Sequence, residues 1–192
     1  MRFMNSMKNK ENGIFLDEHG RFQIDFSKAI WATDKLHEIF SILKGDILSD
    51  VDFVVEDEYN LLFVEYKNSN VKTEGETKKF NPIDGEGLQK VARKYFDSLN
   101  FIRTTGRGLK KKKVYIYILE THHKERRNNE LRKYAYNRLK DRLPFKFKKK
   151  SESQGIIMQE TMIDVLKVLS IKEWNEDYKQ FPAKIINNVT DV

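Results

Sequence analysis

A hydrophobic run followed by two charged residues stands out in the segment LLFVEYKNSN, residues 61–70. The four residues Leu-Leu-Phe-Val are typical of a buried strand, and Glu65 and Lys67 come directly after them. Because side chains alternate along a strand, Glu65 and Lys67 share one face. Burying a carboxylate is costly unless a cation or another charged group compensates it. The pattern therefore predicts a polar site at the end of a buried strand.

A second carboxylate comes from the strand-like segment just before this one, which contains Asp52. If the turn between the two strands holds two residues, Glu58-Tyr59, then Asp52 lies directly opposite Glu65 and Asp50 directly opposite Lys67. A three-residue turn would shift the register and break this alignment. Two carboxylates that face each other repel, and a divalent cation between them would offset the repulsion. The even register thus predicts a hard-oxygen site suited to Mg²⁺.

The chemistry of such a site is metal-assisted hydrolysis. A Mg²⁺ ion held by carboxylates, a backbone carbonyl and water can activate a water molecule and stabilise negative charge on a phosphoryl oxygen. The ammonium of Lys67 could orient the attacking water or stabilise the charge of the transition state. The alternative is an exposed cross-strand salt-bridge cluster of Asp52, Glu65 and Lys67, which would contribute little stability.

The remaining segments predict the elements that position this hairpin. Helical and strand spacings of the apolar residues give strands at 14–16 and 21–24, a helix at 28–44, strands at 51–55 and 61–67, a loop at 68–87, a helix at 87–101, a strand at 114–119 and helices at 124–143 and 156–172. This order indicates an α/β or α+β fold with a mixed central β-sheet flanked by helices. We expect a core domain over residues 1–145, and over 146–192 a basic linker and a C-terminal helical extension packed on that core.

The hairpin with an Asp in its first strand and Glu-x-Lys at the end of its second resembles the PD-(D/E)xK nuclease superfamily, also called the restriction-endonuclease-like fold. The matching stretch is SDVDFVVEDEYNLLFVEYKNSN, residues 49–70, and the wider element order covers about residues 27–120. The resemblance implies Mg²⁺-dependent or Mn²⁺-dependent hydrolysis of phosphodiester bonds in DNA. It implies that Asp52 and Glu65 bind the metal together with the backbone carbonyl of Tyr66, and that Lys67 is the catalytic lysine.

Further positions follow from the same resemblance. Members often add an acid from the preceding helix, for which Glu38 is the nearest match, and some use Gln or Lys on the following helix, where Gln89 and Lys90 stand. The sequence departs from the family pattern because no Pro precedes the acid, so either Asp50 or Asp52 is the ligand. The resemblance assigns no subfamily.

The charge distribution indicates a polyanionic partner. The chain carries 36 Lys and Arg against 29 Asp and Glu, a formal net charge of +7, and its basic residues crowd segments 103–113, 124–142 and 146–150. We expect nucleic acid, and DNA in particular, to contact Gln89, Lys90, Arg107, Lys110, Lys111 and Lys112. The loop at 103–113 and the helix from Lys124 would hold its backbone. The alternative for the basic segments is a set of solvated faces. The alternative function is a catalytically inactive nucleic-acid-binding or assembly module of the same fold.

Other features exclude several classes of protein. The chain has no cysteine, which excludes a disulfide framework or a thiolate zinc site and agrees with a reducing compartment. It shows neither an apolar signal segment nor a run long enough to span a bilayer, so we expect no membrane partner and a cytoplasmic location. A homodimer would suit an enzyme that cuts both strands of a duplex, but nothing in the sequence establishes one.

Overall fold

A computed structural model describes residues 13–17, 20–43, 47–68, 84–121 and 124–186 of the chain. It confirms the expected fold class, with strands and helices combined around a mixed sheet. The strands are β1 (Ile14–Leu16), β2 (Phe22–Asp25), β3 (Trp31–Thr33), β4 (Phe53–Glu56), β5 (Asn60–Asn68), β6 (Lys112–Glu120), β7 (Val165–Leu169) and β8 (Ala183–Ile185). The helices are α1 (Leu36–Phe40), α2 (Gly85–Thr104), α3 (Glu125–Arg142), α4 (Phe147–Ser153) and α5 (Ile171–Asp177).

The central sheet has five strands in the order β3-β4-β5-β6-β7. β4 and β5 form the expected antiparallel hairpin, in which Phe53 lies opposite Val64. The amide of Asp57 donates to the carbonyl of Asn60 at 3.0 Å, so the turn holds the two residues between them. This confirms the even register. β6 then pairs parallel with β5, and β7 parallel with β6.

Each face of the central sheet is covered by a different layer. One face carries alternate residues of β5 and β6, such as Phe63 and Tyr115, and packs against α1, α2 and α3. The opposite face carries Val64 and Ile116, and packs against α5 and a small sheet of order β1-β2-β8. Because both faces are buried, β5 and β6 are almost continuously apolar, as expected for strands at the centre of a layered fold.

The helix expected at 28–44 is wrong. Residues Trp31, Ala32 and Thr33 instead form β3, an edge strand that pairs antiparallel with residues 54–56 of β4. Among its described residues only the five of α1 are helical, and Leu43, which the helical spacing places on the inner face, is 46% exposed. Pairing with a distant strand therefore overrides the local helical spacing in this segment.

The C-terminal segment also differs from expectation. The helix expected at 156–172 is wrong, because residues 165–169 form β7 and extend the central sheet. β8 joins the small sheet beside β2, and α4 occupies most of the expected basic linker at 146–155. The two middle helices lie close to their expected positions as α2 and α3. Residues 69–83 of the expected loop lie outside the described residues.

The helices of the described part of the chain include none that is long and apolar enough to cross a membrane.

Candidate functional site

Glu65 is a buried carboxylate that two lysines neutralise. The side chain, near the end of β5, has no exposed surface. Its two oxygens lie 2.9 and 3.0 Å from the Nζ of Lys94, which comes from α2. The Nζ of Lys67, two residues further along β5, lies 3.1 Å from Oε1 of the same carboxylate. Hydrogen-bonded ion pairs of this kind are what make a buried carboxylate tolerable.

Asp52 lies on the same side of the hairpin as Glu65. Its Oδ2 accepts a hydrogen bond from the backbone amide of Tyr66 at 2.7 Å, which fixes the carboxylate against β5. Its Oδ1 lies 3.7 Å from the Nζ of Lys94, the same atom that contacts Glu65. The two carboxylates therefore converge on one cationic position, as the even register predicts.

Asp50 lies at the mouth of the site rather than opposite Lys67. It precedes the first residue of β4, and its Oδ1 lies 3.4 Å from Nδ1 of the exposed His37. Burial raises the pKa of Asp50, although the Lys94 charge and the His37 contact act in the opposite direction. Asp50 and Asp52 line a cleft of about 230 Å³ with Lys94. Of the two aspartates, Asp52 makes the contact with the shared ammonium.

The charges of the cluster are held in place by their mutual attraction. Burial lowers the pKa of Lys94, but Glu65 and Asp52 outweigh it and raise that pKa above its ordinary value. Lys94 therefore stays protonated. Tyr117 of β6 lies beside Glu65, because the two residues pair in register across β5 and β6. Burial, together with the nearby carboxylates, raises the pKa of Tyr117 well above its ordinary value, so the phenol is neutral.

Three other expected site residues surround the cleft or the helix beside it. Glu38 of α1 lines the cleft, but its side chain is 64% exposed and forms an ion pair with Lys35. Gln89 and Lys90 lie on the exposed side of α2. Lys94 is the residue of α2 that reaches the carboxylates. It lies one turn after Lys90, and the sequence pattern did not single it out. Its position between the buried Val91 and Tyr95 was the only available signal.

The basic loop before β6 lies at the other end of the sheet. Arg107 contacts Glu56 at 3.3 Å and stacks over Trp31, and Lys111 contacts the other Glu56 oxygen at 3.1 Å. Lys112 pairs in register with Asn60, the first residue of β5, whereas Lys67 is near its last. Seven strand residues separate these two positions by about 23 Å. The structure therefore does not bring the loop residues Arg107, Lys110, Lys111 and Lys112 to the carboxylates.

The donor set fits a small hard cation in part. Oδ1 of Asp52 and Oε1 of Glu65 lie 3.7 and 2.9 Å from the same Lys94 Nζ, so both carboxylates face one position. Oxygen is the donor that Mg²⁺ prefers. Within the described ranges, no group of three or more His, Cys, Asp or Glu side chains is arranged to hold a metal ion. A metal between Asp52 and Glu65 would thus need a backbone carbonyl and water to complete its coordination.

Comparison of the chain with protein-family models, with curated proteins and with solved structures gives no match. The geometry of the site is therefore the basis on which a function can be proposed.

Proposed function

We propose that this protein is a Mg²⁺-dependent nuclease of the PD-(D/E)xK type that hydrolyses phosphodiester bonds in DNA. The observation that supports the proposal most strongly is the convergence of Asp52 and Glu65 on one cationic position, with the Lys67 ammonium 3.1 Å from Glu65. A lone Glu-x-Lys triplet carries little information. Two opposed carboxylates and a lysine on one face at one sheet edge are a much rarer arrangement.

The roles of the residues follow from their positions. Asp52 and Glu65 would hold the metal, with the backbone carbonyl of Tyr66 as a third ligand. When bound, Mg²⁺ would supply charge stabilisation and lower the pKa of a water molecule. Lys67, anchored by its ion pair with Glu65, would orient that water beside the phosphate. The hydrogen bond from the amide of Tyr66 restrains the Asp52 carboxylate, which preorganises the site.

Of the two basic segments expected to hold the DNA backbone, the helix that begins near Lys124 suits the site better than the loop. β5 and β6 are parallel, and Asn68 pairs in register with Glu120, so both strands end at the same edge of the sheet. α3 begins a few residues later, and its exposed Lys124, Arg126 and Arg127 line one surface depression at its start. We assign phosphate contacts to these three residues and to Lys90, because Arg107 and Lys111 lie at the other end of the sheet and pair with Glu56. Arg126 forms an ion pair with Glu130 at 3.6 Å, but both side chains are exposed, so this pair contributes little and a phosphate can replace it.

Cleavage assays test the proposal directly. Supercoiled plasmid and duplex oligonucleotides would be incubated with Mg²⁺ or Mn²⁺, and with EDTA. Lys67→Met should lower the cleavage rate at least about 100-fold, the usual effect of removing a group that moves or orients a proton. Lys150→Met, which changes an exposed lysine of α4, is the matched control and should cleave normally. Cleavage that persists in EDTA, or that is indifferent to Lys67→Met, would refute the proposal.

A non-catalytic nucleic-acid-binding or assembly module of the same fold is the second candidate. One observation favours it: Lys67 and Lys94 already neutralise Glu65 without a metal. This candidate predicts DNA binding whose affinity falls steeply with salt, because phosphate contacts release counterions, and no cleavage with either metal. Filter binding at several salt concentrations beside the cleavage assay separates the two functions.

A further inference from the structure

The ammonium of Lys94 lies where a cation shared by the two carboxylates would lie. It is within 3.0 Å of both oxygens of Glu65 and 3.7 Å from Oδ1 of Asp52. The two acids belong to neighbouring strands, whereas Lys94 reaches them from α2. Among the described residues, Lys94 is the one cation within salt-bridge distance of both carboxylates. The ammonium therefore links Asp52 to Glu65 across the hairpin.

A metal ion and this ammonium compete for the same position. Mg²⁺ binds oxygen ligands at about 2.0–2.1 Å and tolerates little departure from octahedral geometry. Oε1 of Glu65 already contacts both lysines, and Oε2 contacts Lys94. A dication placed between the carboxylates would be a few ångströms from the Lys94 charge, and like charges repel strongly where water is scarce.

The Lys94 side chain can move away from this position into the cleft. Its side chain is 24% exposed, and the cleft beside it also contains Asp50 and Asp52. A lysine is a point charge on a flexible four-carbon stem, so it can turn into such a cleft without moving its helix. Glu65, by contrast, is fully buried and cannot follow it.

We propose that Lys94 is an exchangeable internal counter-cation: it holds Asp52 and Glu65 together in the metal-free protein and leaves when a divalent cation binds. The metal part of this inference rests on the proposed function. Its consequence is that Lys94 weakens metal binding, because the metal must displace an ion pair before it reaches the carboxylates. Lys94 is thus a positioning residue for the two ligands, and its departure turns a positive charge into the cleft.

Metal titration of a charge-removing variant tests the exchange. Lys94→Met keeps most of the side-chain length, and Lys150→Met, which changes an exposed lysine of α4, is the matched control. Binding of MnCl₂ would be measured by calorimetry, and the melting temperature in EDTA and in MnCl₂. We expect Lys94→Met to melt below the wild type and Lys150→Met in EDTA, and to bind Mn²⁺ at least tenfold more tightly than either. Added Mn²⁺ should then restore its melting temperature.

The possible results separate this inference from the proposed function. A folded Lys94→Met that binds Mn²⁺ no more tightly than the wild type, or binds none, overturns the exchange, even if the wild type cleaves DNA. Tighter binding in a protein that cleaves nothing supports the exchange and refutes the nuclease. If Lys94→Met does not fold, Lys94→Gln, whose amide can still donate to Glu65, is the second variant, with the same expected gain in Mn²⁺ affinity.

Discussion

Replacing Glu65 by Gln tests whether the buried carboxylate organises the site in the absence of any metal. The change removes the negative charge but keeps the shape of the side chain. Lys94 and Lys67, which lie 2.9 and 3.1 Å from Oε1, would then be two like charges beside a neutral amide. The amide oxygen can still accept hydrogen bonds, but the NH₂ group only donates, and the neutral amide cannot neutralise either ammonium.

The expected loss of stability follows from the burial of each partner. Removing one partner of a fully buried ion pair costs about 3–5 kcal/mol. Here the side chains of Lys94 and Lys67 are 24% and 30% exposed, so both can turn partly into water. We therefore expect Glu65→Gln to lower the free energy of unfolding by about 2–3 kcal/mol, between the values for a charged hydrogen bond and a buried pair.

Urea denaturation followed by circular dichroism in EDTA at pH 7 measures this loss. Glu38→Gln is the matched control, because Glu38 forms an exposed ion pair with Lys35 and should give no measurable change. In the double variant with Lys94→Met, the loss should be smaller than the sum of the two single losses, since both remove the same pair. An unfolding midpoint for Glu65→Gln equal to that of the wild type, with an unchanged slope, would refute the burial of Glu65 among the lysines.

Three further predictions concern the layers that position the site. Gly108 has a φ of +62°, and a Cβ there would lie 2.5 Å from Cδ2 of Leu61, so Gly108→Ala should cost about 2–4 kcal/mol by chemical denaturation. Gly106→Ala, with a similar φ but open space, should cost only about 1–2 kcal/mol; equal losses would refute the close contact. Trp174 is fully buried and donates to a backbone carbonyl at 2.6 Å, so Trp174→Ala should cost about 3–5 kcal/mol in the same assay, and a loss under about 1 kcal/mol would contradict its place in the core. Burial raises the pKa of Tyr66 to about 12, so the stability contributed by its neutral phenol is present below pH 10 and lost as the pH rises through 12. Tyr66→Phe should therefore lose less stability than the wild type between pH 7 and 10.5 in urea denaturation; parallel losses would argue against the shift.

The hairpin could be predicted from the sequence because its information is local. The apolar runs of β4 and β5 are separated by Asp57-Glu58-Tyr59-Asn60, and Asp57 bonds to the amides of Tyr59 and Asn60. Such an Asx-type turn fixes the loop length, and the loop length fixes which side chains lie opposite each other. The sequence therefore predicted the facing of Asp52 and Glu65 for a two-residue turn, and the structure decides between that turn and a three-residue one.

The two wrong helices depended on information from distant segments. In segment 28–44 the apolar spacing is helical, but Trp31, Ala32 and Thr33 are needed to pair with the free edge of β4. Val165–Leu169 likewise reads as part of an apolar helix until it pairs with β6, which lies some fifty residues earlier in the chain. Local spacing cannot register a partner that far away, so both segments were predicted from the weaker of two signals.

The position of the basic loop follows from the order of strands and helices, and not from the residues of the loop itself. A helix between two neighbouring strands of a sheet implies that the strands are parallel, as α2 does for β5 and β6. Parallel strands start at one edge and end at the other, so a loop that enters β6 must lie beside the start of β5. Glu65 and Lys67 are near the end of β5. We therefore expect phosphate contacts at that end from segments that lie beside it, and in the described chain the basic start of α3 is such a segment. Replacing Arg126 and Arg127 together should thus weaken DNA binding more than replacing Arg107 and Lys111 together. Filter binding at low salt measures both losses of affinity, and a larger loss for Arg107 and Lys111 would refute this placement of the DNA.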